Sequence, residues 1–148
     1  MTYVIHTDGG SQTYTHVFHT DDLGRTDLAY TDHLERGEAD RSGDIQRRIG
    51  DLGGTGYDGG HLLANMFGGG PEDVNLVPML KDVNRGAGDS FGQLEGKWRQ
   101  LIDQNPGTKI EVRVEPHYSG DVPTPDRIDV TWTVDGVPKR ARFFNVQP

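Results

Sequence analysis

One stretch decides how the fold and chemistry of this sequence are interpreted: Tyr57-Asp58-Gly59-Gly60-His61-Leu62-Leu63-Ala64, followed by Asn75-Leu76-Val77-Pro78 and Asn84-Arg85-Gly86. Because glycine has no Cβ, the two glycines before His61 allow a backbone or a phosphodiester to approach the imidazole closely. The imidazole is therefore a candidate base. Asparagine can offer a neutral carbonyl oxygen to a hard cation or an amide N–H to a phosphate. The pattern predicts a base and a metal ligand in one short segment, as in a nuclease site.

The composition limits the classes of protein that the chain can belong to. With 148 residues, 32% of them hydrophobic, and 21 glycines, the sequence predicts a single domain with a thin core and long loops. The absence of cysteine excludes disulfides, thiolate zinc sites and cysteine nucleophiles. A formal net charge of −8 argues against a protein that gathers nucleic acid through a broad positive field.

No association with membranes is expected. No apolar run approaches the roughly 18 residues that a membrane helix requires. Residues 1–6 lack the basic and apolar regions of a signal peptide. We therefore expect a soluble chain without a signal peptide.

Alternating β-branched and aromatic residues predict strands at both ends of the chain. The predicted strands cover residues 3–7, 13–20, 109–116, 127–134 and 141–146, and residues 21–30 are expected to hold turn residues followed by a short strand. Asp8-Gly9-Gly10 joins the first two as a hairpin, and Asp135-Gly136 joins the last two. Leu62-Leu63-Ala64 is expected to be a buried extended segment, and the glycine-rich residues 67–71 a loop.

Two helices are predicted between these strands. The first helix is predicted over residues 39–52, where Ile45 and Ile49 recur on one face and Gly53-Gly54 ends the helix. Over residues 91–104, an apolar face includes Trp98, and Ser90 with Gln93 forms a capping box. The order of strands, helices and strands predicts an α+β domain, an antiparallel sheet with helices packed on it.

Several short motifs together resemble one enzyme family. They are GYDGGHLLANMFGG (residues 56–69), PEDVNLVPMLKDVNRGA (71–87), LEGKW (94–98), VRVEPHYSG (112–120) and FFN (143–145). With the Gly24-Arg25 turn and Gln46-Arg47, this series resembles the DNA/RNA non-specific endonuclease family, in the branch found as toxin domains of bacterial secretion-system effectors. The resemblance implies a ββα-metal (His-Me finger) core inserted in a larger sheet.

The resemblance also implies roles for individual residues. His61 corresponds to the general base, and Asn84 to the asparagine that binds a single Mg²⁺, for which Mn²⁺ is an acceptable substitute. Asn75 corresponds to an asparagine that helps to position the histidine and the phosphate. Arg85 is a candidate phosphate contact. Because such contacts involve phosphate and sugar rather than base edges, cleavage of DNA, RNA or both is expected to be nearly indifferent to sequence.

Two positions depart from the family pattern. Many relatives have arginine where this chain has Gly59, which leaves Arg85 and Arg48 as candidates to stabilise charge in the transition state. The family's glutamate lies about eight positions after the metal-binding asparagine and orients water around the metal, whereas Glu95 lies three residues further on. The glycines and the Ser90 cap between Asn84 and Glu95 predict an interrupted helix.

Structural roles are the alternatives for these residues. A histidine beside an apolar run is usually structural, and Asn75 and Asn84 could be turn formers. Asp58 could be a second carboxylate ligand, although a turn or a supporting hydrogen bond is the more ordinary role. Only the joint spacing of the two asparagines to His61 favours function.

Three functional classes remain open from the sequence. The first is a metal-dependent nuclease that acts as an antibacterial toxin, formed as the C-terminal part of a longer secreted effector. Such an effector domain would be cytoplasmic before export, act in a target cell, and require a cognate immunity protein. The second is a binding module with weak or no cleavage, which the acidic charge, Gly59 and the displaced Glu95 favour. The third is a scavenging nuclease without a toxin role.

Overall fold

Eight strands and three helices form an α+β fold in the computed structural model, which describes residues 1–9 and 12–147. The strands are β1 (Thr2–Gly9), β2 (Gln12–Thr20), β3 (Thr26–Thr31), β4 (Tyr57–His61), β5 (Leu76–Leu80), β6 (Ile110–His117), β7 (Arg127–Val134) and β8 (Val137–Phe144). The helices are α1 (Gly43–Asp51), α2 (Lys81–Arg85) and α3 (Phe91–Gln104). A six-stranded sheet has the order β1-β2-β3-β6-β7-β8, and β4 and β5 form a separate two-stranded sheet. The predicted α+β class with an antiparallel sheet is confirmed.

Neighbouring strands pair antiparallel throughout the larger sheet. In β6, Ile110, Val112 and Val114 are fully buried, and the residues between them face outward. This alternation is the physical reason why the sequence pattern located the strand. All six predicted strands are present, although the proposed Asp8-Gly9-Gly10 connection includes Gly10, which lies outside the described residues.

The last strand begins four residues before its predicted start. Asp135 and Gly136 have φ angles of 49° and 86°, and Val134 pairs directly with Val137. Positive φ at both central residues is typical of a two-residue hairpin turn, whose twist matches that of the strands it connects. Pairing therefore resumes immediately after the turn.

Helix α3 has the predicted bounds and supplies much of the core. The Ser90 hydroxyl accepts a hydrogen bond from the Gln93 backbone N–H at 3.1 Å, as the predicted cap requires. Trp98 is buried between the rings of Phe91 and Trp132, with centroids 6.2 and 5.7 Å away. No helix among the described residues is long and apolar enough to cross a membrane.

Helix α1 begins at Gly43, so the prediction of a helix from residue 39 was wrong at its N-terminus. Ser42 has extended backbone angles, and its hydroxyl accepts a hydrogen bond from the Ile45 N–H at 3.3 Å. A serine that caps the first turn fixes the start of the helix. Ile49 is buried as predicted, whereas Leu52 is 53% exposed.

The β4–β5 pair with α2 is the ββα unit. The chain bends directly after His61, so Leu62 and Leu63 are buried as predicted but are not extended in a strand. The buried amide of Asn145 ties this unit to the larger sheet. It accepts a hydrogen bond from Leu80 N at 2.7 Å and donates to the carbonyl oxygen of Pro78 at 3.0 Å.

Candidate active site

Helix α1 lies directly on strand β4. A Cβ atom added to Gly59 would lie 2.1 Å from the Gln46 carbonyl oxygen, and one added to Gly50 would lie 2.7 Å from Gly59 N. Both positions therefore require glycine if the two backbones are to approach so closely. An arginine at position 59 would need α1 to move away, so the glycine is part of how this site is assembled.

Asp58 holds the side chains of Asn84 and Arg85 together at the junction of β4 and α2. Its Oδ2 accepts hydrogen bonds from Asn84 Nδ2 at 3.0 Å and from Arg85 Nε at 2.8 Å. Partial burial opposes ionisation of Asp58, but these hydrogen bonds and the positive charges of Arg85 and Lys81 outweigh it, so its pKa lies below the usual value. Asp58 therefore has the hydrogen-bonding role that the sequence suggested.

The hydrogen bond from Asn84 determines which way its amide faces. An ionised carboxylate can only accept hydrogen bonds, so the atom that contacts Asp58 must be the NH₂ group of Asn84. The side-chain carbonyl oxygen of Asn84 is then not engaged by Asp58. Among the described residues, no group of three or more His, Cys, Asp or Glu side chains could hold a metal ion. An amide oxygen is a donor that suits a hard cation.

A cleft of about 400 Å³ lies between α1, β4 and α2. Its lining includes Arg41, Arg47, Asp58, Gly59, Asn84 and Arg85. The structure therefore brings Asn84 and Arg85 to one surface with two arginines of the α1 region. Arg48, the other candidate for charge stabilisation, forms an ion pair with Asp73 instead, through contacts of 2.8 Å to both carboxylate oxygens.

His61 is the last residue of β4 and pairs with Leu76. Burial lowers its pKa to about 4, and the positive charge of Arg41 acts in the same direction. The ring Nε2 is buried and has no hydrogen-bond partner within the described part of the chain. His61 is therefore a neutral imidazole at neutral pH.

Asn75 is fully buried and fixes the loop that follows His61. Its Nδ2 donates to the carbonyl oxygens of Leu63 at 2.9 Å and Gly70 at 3.0 Å, and its Oδ1 accepts from Leu63 N at 2.9 Å. The Asn75 backbone carbonyl also accepts from Leu62 N at 2.9 Å. A side chain with no exposed surface cannot contact a phosphate, so its part in the site is to hold the backbone beside His61.

Glu95 is buried on α3, the helix that begins beside Asn84. A Cβ atom on Gly92 would lie 2.5 Å from the backbone carbonyl oxygen of Asn84, so the first turn of α3 packs against the end of α2. Glu95 lies one helical turn further along the same side. Burial raises its pKa to about 8. As predicted, the helix is interrupted between Asn84 and Glu95, because α2 ends at Arg85 and α3 begins at Phe91.

Arg41 is the cleft residue that the sequence did not single out. It lies outside the motifs of residues 56–87, and no spacing in the sequence relates it to His61. Its neighbour Ser42, which caps α1, was the only local signal, and that signal concerns the helix rather than the site.

Comparison with known proteins gives matches over nearly the whole chain. The family model for DNA/RNA non-specific endonucleases matches residues 5–136. The chain is 32% identical over 134 residues to the type VII secretion system protein EssD of Staphylococcus aureus strain USA300. This alignment covers 88% of the chain but 22% of EssD, so the chain spans about a fifth of the length of that relative.

Solved structures with the same fold include two nucleases that contain bound metal. The Sda1 nuclease with a bound zinc ion superposes with a TM-score of 0.72 at 17% identity, covering 99% of this chain and 84% of the other. NucA from Streptococcus agalactiae with a bound magnesium ion has a TM-score of 0.67 at 17% identity, covering 97% and 77%. At this identity the likeness establishes the shared fold.

Proposed function

Because this chain belongs to the DNA/RNA non-specific endonuclease family, we propose that it hydrolyses phosphodiesters with a divalent cation bound at Asn84 and with His61 as the general base. The observation that carries this proposal is the hydrogen bond from Asn84 Nδ2 to Asp58. It holds the amide in the orientation that a cation ligand needs, in a cleft that also contains Arg85.

His61 accepts the proton of the attacking water. A histidine whose pKa is about 4 is neutral at physiological pH and so has a nitrogen available for that proton. The negative charge of a bound phosphate raises the proton affinity of a nearby imidazole, which brings the base closer to the range in which proton transfer is efficient. Asn75 keeps the loop after His61 in place during this step.

The amide oxygen of Asn84 would hold the cation, with water and phosphate oxygens completing its coordination. When bound, the cation polarises the phosphate and stabilises negative charge on the departing oxygen. Oxygen donors suit Mg²⁺, with Mn²⁺ as a substitute. The likeness to NucA with bound magnesium and to Sda1 with bound zinc supports a divalent ion.

Arg85 and Glu95 support this arrangement from two sides. Arg85 is 64% exposed, and its contact with Asp58 leaves guanidinium N–H groups for a phosphate oxygen. Glu95, on the neighbouring turn of α3, orients water around the cation. Since all these contacts are to phosphate or water, cleavage is nearly indifferent to base sequence, and the substrate is DNA, RNA or both.

The likeness to EssD supports a biological role as the nuclease domain of a secreted antibacterial effector. The match covers 22% of EssD. We propose that the domain likewise forms one part of a longer polypeptide, at its C-terminus. The domain would act in a target cell after export, and the producing cell would need an immunity protein. Because this chain has a net charge of −8, that partner cannot rely on acidic mimicry of phosphate and instead covers the cleft locally.

Degradation of plasmid DNA and of RNA with Mg²⁺, and with excess EDTA, tests the activity. We expect cleavage in Mg²⁺, none in EDTA, and loss of cleavage in His61→Ala. His33→Ala is the matched control, because His33 is an exposed histidine outside the cleft. Cleavage that persists in EDTA, or in His61→Ala, would refute the proposed mechanism.

A further inference from the structure

We propose that Arg41 binds the phosphate that is cleaved and stabilises its charge in the transition state. This inference rests on the proposed function and adds a catalytic residue to it. Three arginines line the cleft that contains Asn84: Arg41, Arg47 and Arg85. Their other contacts distinguish them.

Arg47 and Arg85 already have carboxylate partners. Arg47 contacts Asp44 on the same helix, and Arg85 donates to Asp58 at 2.8 Å. Arg41 is exposed and forms neither an ion pair nor a hydrogen bond with any residue in ranges 1–9 and 12–147. All five of its N–H donors are therefore available to an anion, without the loss of an existing contact.

The chain before α1 is anchored on the loop that follows His61. Gly37 N donates to the Met66 carbonyl oxygen at 2.8 Å, and Asn65 Nδ2 donates to the Ala39 carbonyl oxygen at 3.5 Å. Ser42 then starts α1, which packs against Gly59. These contacts before and after Arg41 hold its backbone between the His61 loop and the Asn84 cleft.

The charge of Arg41 also acts on the candidate base. Its positive charge disfavours protonation of His61, and such an effect requires proximity because charge interactions weaken with distance and screening. Arg41 itself lines the cleft that contains Asn84 and Arg85. A phosphate bound in this cleft would face the Arg41 guanidinium.

We assign to Arg41 the role that arginine has in those relatives that carry it at the position of Gly59. Arg48 is engaged with both carboxylate oxygens of Asp73, and Arg85 donates to Asp58 Oδ2 at 2.8 Å. Arg41 can form two parallel N–H···O bonds to one phosphate, which a guanidinium does well because of its planar fork. Once it is paired with phosphate, its charge no longer opposes protonation of His61, so substrate binding increases the proton affinity of the base.

The test compares Arg41→Ala, Arg41→Gln and Arg41→Lys with Arg99→Ala. Arg99 is an exposed arginine of α3 outside the cleft lining, so its removal changes net charge equally. We expect the Ala and Gln variants to lose roughly 100-fold or more in kcat/KM on plasmid DNA, mainly in kcat, the scale for loss of one transition-state donor. Arg41→Lys should recover only part, because a lysine lacks the bidentate fork.

Two further measurements do not depend on cleavage. In Arg41→Ala, the NMR titration of the His61 ring should move to higher pH than in wild type, while Arg99→Ala leaves it unchanged. In the His61→Ala background, Arg41→Ala should reduce the slope of log K against log salt for duplex DNA by about 0.9.

Equal kcat/KM in Arg41→Ala and Arg99→Ala would overturn the inference, and so would an unchanged His61 titration or salt slope. Should the alanine variant not fold, the glutamine variant gives the same comparison. Failure of the proposed function would be recognised separately, because His61→Ala would then remain active whatever the Arg41 variants do.

Discussion

Asn84 donates its side-chain amide to Asp58 across the gap between α2 and β4, with 3.0 Å between Nδ2 and Oδ2. Asp58 thereby fixes the orientation of the amide that we propose as the cation ligand. The lowered pKa of Asp58 keeps it an acceptor over the neutral range, so the amide cannot turn its oxygen toward β4 without losing this bond. The proposed base, His61, and the proposed cation ligand, Asn84, thus lie on different elements of the ββα unit, β4 and α2.

Asp58→Ala should weaken binding of Mg²⁺ or Mn²⁺ by about 10- to 100-fold, because the Asn84 amide loses the group that orients it. Calorimetric titration with Mn²⁺ measures this directly. Asp22→Ala, at an exposed turn, is the control and should bind as wild type does. Equal affinity in the two variants would show that Asp58 does not orient the ligand.

Substitutions of two glycines should have opposite effects on stability. Gly59→Ala places a Cβ 2.1 Å from the Gln46 carbonyl oxygen and should lower the free energy of unfolding by about 1 to 3 kcal/mol. Gly96→Ala, in the interior of α3 with no atom within 4 Å of the new Cβ, should raise it by up to about 1 kcal/mol. Urea denaturation of both variants measures the two changes in the free energy of unfolding. A Gly59→Ala protein as stable as wild type would mean that α1 is free to move.

Asn75→Ala should destabilise the domain by on the order of 3 kcal/mol, since it removes three buried hydrogen bonds and leaves backbone groups of the His61 loop unpaired. Urea denaturation gives the value. Asn65→Ala is the control, because the single side-chain contact of Asn65 is a long one of 3.5 Å. An Asn75→Ala variant as stable as this control but inactive would instead place Asn75 in the chemistry.

Stability in chelator should reach a maximum near pH 6.5. Burial lowers the pKa values of His16 and His61 from 6.5 to about 4, so between these values the unfolded chain binds more protons and stability increases with pH. Burial raises the pKa of Glu95 from 4.5 to about 8, so over that range the folded chain retains a proton and stability decreases with pH. The two histidines together outweigh Glu95 below pH 6.5, and above pH 6.5 Glu95 outweighs them.

Thermal unfolding across this pH range, with Glu95→Gln for comparison, separates the two contributions. The glutamine variant should lose most of the decline between pH 6.5 and 8 and keep the rise below pH 6.5. Parallel curves for the variant and wild type would contradict the assignment of the decline to Glu95.

The parts of the fold that follow from periodicity were predictable from the sequence. Helix α3 and the alternating strand β6 have strong local patterns, and both were located within a residue or two. Strand β5 was not predicted, because a proline such as Pro78 normally interrupts a strand. Its pairing with β4 also depends on the tertiary structure and not on a local pattern. The five-residue helix α2 is too short to show a period.

The cleft was predictable only where residues adjoin in sequence. Asn84 and Arg85 are neighbours in the chain and both line the cleft, whereas Arg41 reaches it through the packing of α1 on Gly59. No local pattern encodes that contact, because it depends on how closely two backbones approach. The full burial of Asn75 is likewise a property of the folded loop.

Binding of the cation at Asn84 is tested by the cleavage rate as a function of Mg²⁺ concentration in wild type, Asn84→Ala and Glu95→Ala. The expected result is that Asn84→Ala needs far more Mg²⁺ and loses orders of magnitude in rate, while Glu95→Ala loses about 10- to 100-fold. A wild-type Mg²⁺ dependence in Asn84→Ala, with the larger loss in Glu95→Ala, would contradict it and place the cation elsewhere.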